Sequence, residues 1–221
     1  MSKENKKTIA VYQNGGAKRY LETSKIHDEM DGAKAIRKRE KLNEFILKSF
    51  SSLPKGASIF EIGSADGQNA EFLQSKGYNV TASDVADAFI EASSALGVKT
   101  VKFNVLEDKF REQYDGVFCW RVFVHFTDKD FIKSAKNVYS ALKKGGVFVF
   151  NVMNRENRAV DSEMVDYNNE YRMGAERFFH YFTQEFVDDT VKKLGFEIQS
   201  FHKEGGELGN KWLVYTLKKS Y

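Results

Sequence analysis

Apolar residues along this chain follow two spacings that alternate. Short, nearly continuous apolar runs are typical of strands buried on both faces, and between them apolar residues recur every three or four positions, as on one face of a helix. The predicted strands are 57–62, 78–83, 98–103, 116–122 and 147–152. The predicted helices are 33–50, 66–76, 86–94, one between Thr127 and Gly145, and one between Thr183 and Gly195. This alternation predicts βαβ crossovers and an open parallel sheet, with the two threonines as N-caps.

The chain closes with two more predicted strands, 196–201 and 212–217. Their connection, 203–211, is too short for a crossover helix, so the two strands are predicted to pair antiparallel. The sequence therefore predicts an α/β fold: an open, mostly parallel seven-stranded sheet with helices on both faces and a C-terminal antiparallel hairpin.

Composition and charge narrow the classes of function. The 221 residues fit one domain, and 42% hydrophobic with 29% charged residues is an ordinary globular balance. A net charge of +3, evenly spread, predicts no nucleic-acid partner. No apolar segment suits a signal peptide or approaches the roughly 20 residues of a membrane helix, so we expect no membrane partner and a cytoplasmic location. A single cysteine, Cys119, and four histidines at unrelated spacings predict no disulfide and no metal site.

A glycine-containing turn follows the first predicted strand. The residues from Gly63 to Gly67 are Gly-Ser-Ala-Asp-Gly, after which a helix is predicted. Glycines at such a turn let a ligand approach the backbone, and the N–H groups of the new helix favour an anionic group. A dinucleotide fingerprint needs glycine at the first, third and sixth positions, which here are Gly63, Ala65 and Gln68. The spacing argues against a nicotinamide-dependent oxidoreductase, which we keep as an alternative.

Asp84 follows the second predicted strand, about 20 residues after the glycine turn, where dinucleotide folds place a ribose-binding acid. A carboxylate there can accept both ribose hydroxyl hydrogens of an adenosine. The alternative is that Asp84 only caps the helix predicted from residue 86. After a suitable glycine turn, we favour the ribose role.

The segment Glu61-Ile-Gly-Ser-Ala-Asp-Gly67 resembles the first motif of class I S-adenosylmethionine-dependent methyltransferases, acidic-x-Gly-x-Gly-x-Gly. Four further blocks follow in that family's order: Asp84, Asn104-Val105, Tyr-Asp-Gly-Val-Phe at 114–118 and Leu-Lys-Lys-Gly-Gly-Val-Phe at 142–148. Ala65 replaces the central glycine of the motif, and Asn104 replaces an aspartate. The resemblance covers about residues 57 to 152 and implies a Rossmann-like methyltransferase of the small-molecule type.

The same resemblance implies S-adenosylmethionine as cofactor, with S-adenosylhomocysteine as product. The methionine end would lie at the glycine turn and the end of the fourth strand, the ribose at Asp84, and the adenine beside the third strand. The implied cofactor-binding residues are Glu61, Gly63, Ser64, Gly67, Asp84, Val85, Asn104, Val105, Trp120 and Arg121.

Two residues are candidates for catalysis. His125 resembles a histidine common after the fourth strand in small-molecule members of the family and could act as a general base. The alternative is a histidine that bonds the backbone at a helix start. Tyr12 lies in a segment, 11–20, that resembles the Tyr-x-x-x-Ala-x-x-Tyr lead of these enzymes, which folds over the cofactor. Its alternative is an ordinary packing helix.

The resemblance also divides the chain into an N-terminal helical segment that covers the site, 1–50, and a methyltransferase domain, 51–221. A lid-like insertion at about 154–182 is polar and aromatic, as functional loops often are. The candidate substrate-binding residues are Tyr20, of the N-terminal segment, and Arg155, Tyr171, Arg172, His180 and Tyr181, of this insertion. Arginines on a surface loop are, however, more often merely solvated.

The sequence thus predicts methyl transfer to nitrogen or oxygen of a small-molecule acceptor, such as a sugar or another secondary metabolite. A non-catalytic domain that binds S-adenosylmethionine as a ligand is the second alternative. The oligomeric state stays open.

Overall fold

A computed structural model of the protein describes residues 1–166, 175–205 and 211–220. Its strands are β1 Ser58–Ile62, β2 Asn79–Asp84, β3 Lys99–Lys102, β4 Tyr114–Cys119, β5 Leu142–Asn154, β6 Ser162–Val165, β7 Arg177–Phe182, β8 Phe196–Glu204 and β9 Trp212–Lys219. Its α-helices are α1 Lys3–Val11, α2 Ala17–Asp31, α3 Ala33–Ser49, α4 Gln68–Ser75, α5 Asp87–Ala95, α6 Asp128–Ala141 and α7 Gln184–Lys193. A kinked segment, Tyr12–Gly16, joins α1 to α2, and a short 3₁₀ helix covers Phe123–His125. None of these described helices is long and apolar enough to cross a membrane.

Seven of the strands form the sheet that the sequence predicts. β3, β2, β1, β4 and β5 lie side by side in this order and pair in parallel. β9 pairs antiparallel with β5, and β8 pairs antiparallel with β9. The predicted fold class is therefore confirmed, including the C-terminal antiparallel hairpin. The parallel strands share one carboxyl-end edge, which is where open α/β sheets bind their ligands.

The antiparallel strands β6 and β7 were not predicted from the sequence pattern. β7 pairs in parallel with the end of β5, at Met153 and Asn154. Met153 also pairs with Trp212 of β9, so β7 occupies the other edge of β5, the edge used by β4. The pairing of β4 with β5 stops at Phe150, and β7 therefore lies beyond the carboxyl end of β4. The run Arg177–Phe182 is aromatic at successive positions, so it has no period of two that would reveal a strand.

β4 ends at Cys119, before the predicted end at residue 122, and this part of the prediction was wrong. Arg121 has a left-handed backbone with φ 60°, which a strand cannot contain. Its amide donates to Oδ1 of Asn151 on β5 at 2.7 Å, so the chain turns out of the sheet here. The prediction was too long because the apolar run continues past Cys119, whereas the turn depends on the contact of Arg121 with Asn151 on another strand.

The predicted N-caps of the last two helices are confirmed. The hydroxyl of Thr127 accepts from the amide of Asp130 at 3.3 Å, and that of Thr183 from the amide of Phe186 at 3.2 Å. Each bond satisfies one of the N–H groups that the first turn of a helix leaves unpaired. α6 ends at Ala141, and the chain passes directly into β5.

Apolar side chains cover both faces of the central strands. Phe118 of β4 belongs to a cluster with Phe50, which follows α3, whereas its neighbour Val117 belongs to a second cluster with Phe131 of α6. Successive residues of a strand point to opposite faces, so both faces of β4 are buried, as its continuous apolar run predicts. Charged side chains are therefore expected near the strand ends.

The N-terminal helix α1 is attached at the carboxyl-end edge of the sheet. Nδ2 of Asn5 donates to the carbonyl of His125 at 3.2 Å, and the hydroxyl of Thr8 accepts from the amide of Phe178 on β7 at 2.9 Å. Asn5 and Thr8 are both buried, so these bonds are sheltered from water. Gly15, with φ 99°, then bends the chain between α1 and α2.

Gly67 should not tolerate a side chain. Its φ is 81°, and a Cβ built on it would lie 2.7 Å from the Cα of Ser93. We expect Gly67→Ala to lower the free energy of unfolding by about 2–4 kcal/mol, the sum of left-handed strain and overpacking. Gly97 has a similar φ of 76° with nothing within 4 Å, so Gly97→Ala should cost only about 1 kcal/mol. Equal losses for the two variants in urea unfolding would contradict the packing explanation.

Candidate functional site

The glycine turn after β1 is fastened to β2. Ser64 donates its amide to the carbonyl of Ser83 at 2.8 Å, and its hydroxyl accepts from the amide of Ser83 at 3.0 Å. Gly63 has φ 69°, and a Cβ on it would lie 2.3 Å from Cγ2 of Val122, so only glycine fits. Ala65, where the motif has glycine, also takes a left-handed conformation with φ 47°. The turn thus keeps the backbone shape of the motif at the cost of some strain at one alanine.

Glu61 is buried beneath this turn and is 1% exposed. Nδ2 of Asn69 donates to its Oε1 at 3.2 Å, while Oε2 is buried with no hydrogen-bond partner. Burial raises the pKa of the carboxyl to about 7, although Asn69 and the nearby Ser64 oppose this. A buried carboxylate oxygen that receives no hydrogen bond is suited to accept one from a ligand. An ammonium group of the ligand would also complement its negative charge.

Asp84, at the end of β2, joins the start of α5 to the glycine turn. Its Oδ1 accepts from the amides of Val85 at 2.7 Å and Ala86 at 3.1 Å, and its Oδ2 accepts from the amide of Ala65 at 3.2 Å. The side chain therefore bonds the backbone that precedes α5, but it does not cap the helix, whose N-cap is Ala86, without a side-chain capping bond. A carboxylate has about four lone-pair sites, so both oxygens can still accept from hydroxyl groups of a ligand. Burial raises the pKa of Asp84 to about 6, although the three amides oppose this.

The N-terminal segment contacts the residues implied to flank the adenine. Nδ2 of Asn104 lies 3.5 Å from the sulfur of Met1, and the carbonyl of Val85 accepts from Nε2 of Gln13 at 3.2 Å. Val105 is buried in the main apolar cluster. The structure thus places Met1 beside Asn104 and Gln13 beside Val85.

Trp120 and Arg121 follow β4 at the same edge. The Trp120 ring stacks on Phe118, with 5.8 Å between ring centres and 11° between planes, and it also contacts Phe45 of α3. The guanidinium of Arg121 lies 5.5 Å from the ring centre of Trp212. Both side chains are engaged in packing, so contacts with a cofactor would come from the backbone, as the resemblance implies.

The two candidate catalytic residues are hydrogen-bonded to each other. The Tyr12 hydroxyl lies 3.2 Å from Nε2 of His125, and Nδ1 of His125 lies 2.6 Å from the carbonyl oxygen of Phe178. A carbonyl can only accept, so Nδ1 carries the proton and Nε2 accepts from the Tyr12 hydroxyl. Burial and the nearby charge of Arg177 lower the pKa of His125 to about 3, so the ring is neutral. His125 bonds the backbone of β7 rather than that of a helix start.

Tyr12 also contacts the elements around the glycine turn. Its ring lies 5.8 Å from that of Phe89 on α5, and Tyr20 meets Phe89 edge-on at 5.6 Å. Ala65 of the turn packs against the same apolar cluster. Tyr12 and Tyr20, predicted from one motif, therefore lie together beside the glycine turn. Burial raises the pKa of the Tyr12 phenol, while Arg177 opposes the shift.

Arg177 is a residue of this site that the sequence analysis missed. It is 5% exposed, and its Nη1 donates to the Tyr12 hydroxyl at 2.8 Å. Its Cζ lies 5.6 Å from the ring centre of Tyr12 and 5.2 Å from that of Phe179. Phe179 in turn contacts the ring of His125 at 4.7 Å. The only signal in the sequence is an arginine at the start of an aromatic run, which does not distinguish a buried arginine from a solvated one.

The implied substrate residues of β7 lie on its two faces. His180 faces away from Arg177 and Phe179, and its Nε2 lies 2.8 Å from Oδ1 of Asp128 at the start of α6. Tyr181 belongs to the same apolar cluster as Phe179, on the face that contacts His125. Of the two, only Tyr181 shares a face with the hydrogen-bonded pair.

Arg155 lies at a different place, at the end of β5. It forms an ion pair with Asp161 and lines an open cavity of about 380 Å³ together with Thr183 and Lys203. Tyr171 and Arg172 fall outside the described residues. In the part of the chain that the structure describes, no three His, Cys, Asp or Glu side chains converge as a metal site requires.

A family model for methyltransferase domains matches residues 35–200 of the chain. Among curated proteins, the ubiquinone biosynthesis O-methyltransferase of Rickettsia canadensis (strain McKiel) is 29% identical over 126 residues. This match covers 52% of the chain and 52% of that enzyme, so the chain spans about half the length of the curated relative it matches.

Solved structures of low sequence identity share the fold. The magnesium protoporphyrin IX methyltransferase of Synechocystis PCC 6803 with bound S-adenosylmethionine is 10% identical and has a TM-score of 0.73, covering 100% of this chain and 99% of that one. An S-adenosylmethionine-dependent methyltransferase from Clostridium acetobutylicum ATCC 824 is 16% identical, with a TM-score of 0.71 and coverage of 91% and 99%. A [4+2]-cyclase is 10% identical, with a TM-score of 0.65 and coverage of 81% and 80%. The cyclase shows that this fold alone does not determine the reaction.

The raised pKa of Glu61 predicts that stability depends on pH. Its pKa is about 7 in the folded protein against an ordinary 4.5, so the folded state holds a proton that the unfolded chain has lost. The free energy of unfolding should therefore fall as pH rises from about 4.5 to about 7, and Asp84, whose pKa is raised to about 6, adds to the fall.

Glu61→Gln removes the contribution of Glu61 to this dependence of stability on pH. We expect the variant to exceed the wild type in stability by about 1–3 kcal/mol near pH 8 and to differ less near pH 4. Urea unfolding at several pH values measures both differences, with Glu71→Gln on the exposed side of α4 as the control. A gain that is the same at all pH values would rule out the titration of Glu61 as its cause.

Proposed function

This chain belongs to the methyltransferase domain family, and we propose that it transfers a methyl group from S-adenosylmethionine to an oxygen or nitrogen atom of a small-molecule acceptor. The Tyr12–His125 pair beside the glycine turn carries the proposal. It is a proton donor and acceptor pair at the edge of the sheet where ligands bind in this type of fold. The names of two relatives, a ubiquinone biosynthesis O-methyltransferase and a magnesium protoporphyrin IX methyltransferase, support an acceptor of small size.

The buried acidic side chains suit this cofactor. Oε2 of Glu61 has no partner and can accept from an ammonium group, whose charge would keep the carboxyl ionised. Asp84 reaches both the turn and the start of α5, where its oxygens can accept from ribose hydroxyl groups. When bound, S-adenosylmethionine supplies a methyl group activated by a positively charged sulfur.

Orientation of the acceptor is the main task left to the protein, because the methyl group is already activated. We propose that the acceptor O–H or N–H donates to the Tyr12 oxygen. As the acceptor atom is methylated, Tyr12 would take this proton and pass its own to Nε2 of His125. Nδ1 of His125 stays bonded to the carbonyl of Phe178, which holds the ring in position and stabilises the imidazolium. The proton then leaves to solvent.

A sugar or another secondary metabolite is the acceptor class that we propose from the sequence. A cytoplasmic location and the absence of nucleic-acid and membrane partners stay predictions. The roles given to individual residues are also proposals, and the following experiments test them.

The cofactor is tested by calorimetric titration with S-adenosylhomocysteine, with NAD as a parallel ligand. We expect one-to-one binding of S-adenosylhomocysteine and none of NAD, because the glycine spacing does not suit a dinucleotide. Binding of NAD alone would favour an oxidoreductase, and binding of neither would sink the proposal.

Asp84→Asn should weaken binding of S-adenosylhomocysteine by about 10- to 100-fold, as expected for lost hydrogen bonds to a charged group. The variant keeps one side-chain oxygen for the amides before α5, so the turn should stay folded. Asp87→Asn, in the first turn of α5, removes an exposed carboxylate bonded to Lys102 and is the control. Equal affinities for the two variants would remove Asp84 from the ribose site.

Tyr12→Phe and His125→Gln should each lower turnover by about 10²- to 10⁴-fold, the usual contribution of general acid–base catalysis. Release of S-adenosylhomocysteine with the first acceptor found by screening measures this. If the two residues act as one relay, the double variant should be no slower than the slower single variant. Full turnover in both single variants would leave the pair without a catalytic role. A protein that binds S-adenosylhomocysteine and methylates no acceptor would be the non-catalytic alternative.

A further inference from the structure

Arg177 carries a buried positive charge at the start of β7. It is 5% exposed, its Nη1 donates to the Tyr12 hydroxyl at 2.8 Å, and its Nε is buried with no acceptor. Among the residues that the structure describes, no carboxylate forms an ion pair with it. A buried charge is costly unless it is paired, so this guanidinium needs a counter-ion.

The side chains in contact with Arg177 do not supply this counter-ion. The rings of Tyr12 and Phe179, with centres 5.6 Å and 5.2 Å from Cζ, attract a cation only weakly. His125 is neutral. Arg155, on the connection to β6, shows the usual arrangement, because it pairs with Asp161.

We infer that Arg177 binds a carboxylate or phosphate group of the methyl acceptor. The inference rests on the proposed function, because it takes the Tyr12–His125 pair as the place where the acceptor reacts. A guanidinium presents planar donors that match both oxyanions, and Nε is a donor still able to form such a bond.

The position of Arg177 favours the acceptor over the cofactor as the source of the anion. Arg177 approaches Tyr12 at its hydroxyl, whereas the Tyr12 ring packs with Phe89 and Ala65 next to the glycine turn and Asp84. An anion on Arg177 would lie beside the hydroxyl that takes the acceptor's proton. The acceptor would thus be held at two points, its anionic group on Arg177 and its reacting group on Tyr12.

An anion at this position would also assist the proposed relay. The charge of Arg177 opposes protonation of the neighbouring His125. An oxyanion on Arg177 offsets that charge, so His125 takes a proton more readily while an anionic acceptor is bound. A neutral acceptor of the same shape would lack this assistance.

Binding of benzoate, phenyl phosphate and the neutral benzamide to the protein saturated with S-adenosylhomocysteine tests the inference. We expect the wild type to bind one of the two anions about 10- to 100-fold more tightly than benzamide, as expected for a charge-assisted bond. The preferred anion shows whether the site takes a carboxylate or a phosphate. Arg177→Gln should remove the preference, and Arg177→Lys should keep part of it. Arg37→Gln, on the exposed side of α3, makes the same change in net charge and should keep all of it.

Two results would overturn the inference: a wild type that prefers neither anion, or an Arg177→Gln variant that keeps the preference. If the variant that keeps the preference also loses affinity for S-adenosylhomocysteine by about tenfold, the cofactor's carboxylate is the partner of Arg177. If Arg177→Gln does not fold, the wild type and Arg177→Lys still decide the question. Repeating the anion titrations without S-adenosylhomocysteine separates this inference from the proposed function, whose failure appears as a wild type that does not bind S-adenosylhomocysteine.

Discussion

Burial of the central strands on both faces determines where charged groups can lie in this protein. Neighbouring residues of β4, Val117 and Phe118, point into two different apolar clusters, so neither face can hold an unpaired charge. Parallel pairing brings the carboxyl ends of β1, β2 and β4 to one edge. Glu61, Asp84 and His125 lie at or just beyond these ends. The site is therefore a consequence of the sheet.

His125 then joins three parts of the chain that are distant in sequence. Its Nε2 accepts from Tyr12 in the N-terminal segment, its Nδ1 donates to the carbonyl of Phe178 on β7, and its own carbonyl accepts from Asn5 of α1. The bonds to Asn5 and Phe178 are buried and sheltered from exchange with water, whereas the bond to Tyr12 is partly buried. The position of the Tyr12 hydroxyl thus depends on β7, which contributes Arg177 as well.

The buried charges of the site are arranged by sign. Two carboxyl groups, Glu61 and Asp84, lie beneath and beside the glycine turn, and burial raises the pKa of both. A guanidinium, Arg177, lies at the Tyr12 hydroxyl, without a carboxylate partner among the described residues. A site built in this way complements a ligand that is positive near the turn and an acceptor that is negative near β7. With the proposed function, this arrangement of charges would favour an anionic acceptor.

The sequence by itself determined the α/β alternation, the helix caps, the closing hairpin and the glycine turn, because each depends on residues close together in the chain. It also identified Tyr12 and His125, but only as separate candidates. The tertiary structure decided that they bond to each other, that β4 ends at Cys119, and that β6 and β7 form a hairpin beyond β4. It also decided that Arg177 is buried. These features depend on contacts such as that between Arg177 and Tyr12, 165 positions apart, and a pattern of neighbouring residues does not record which distant group a side chain will meet.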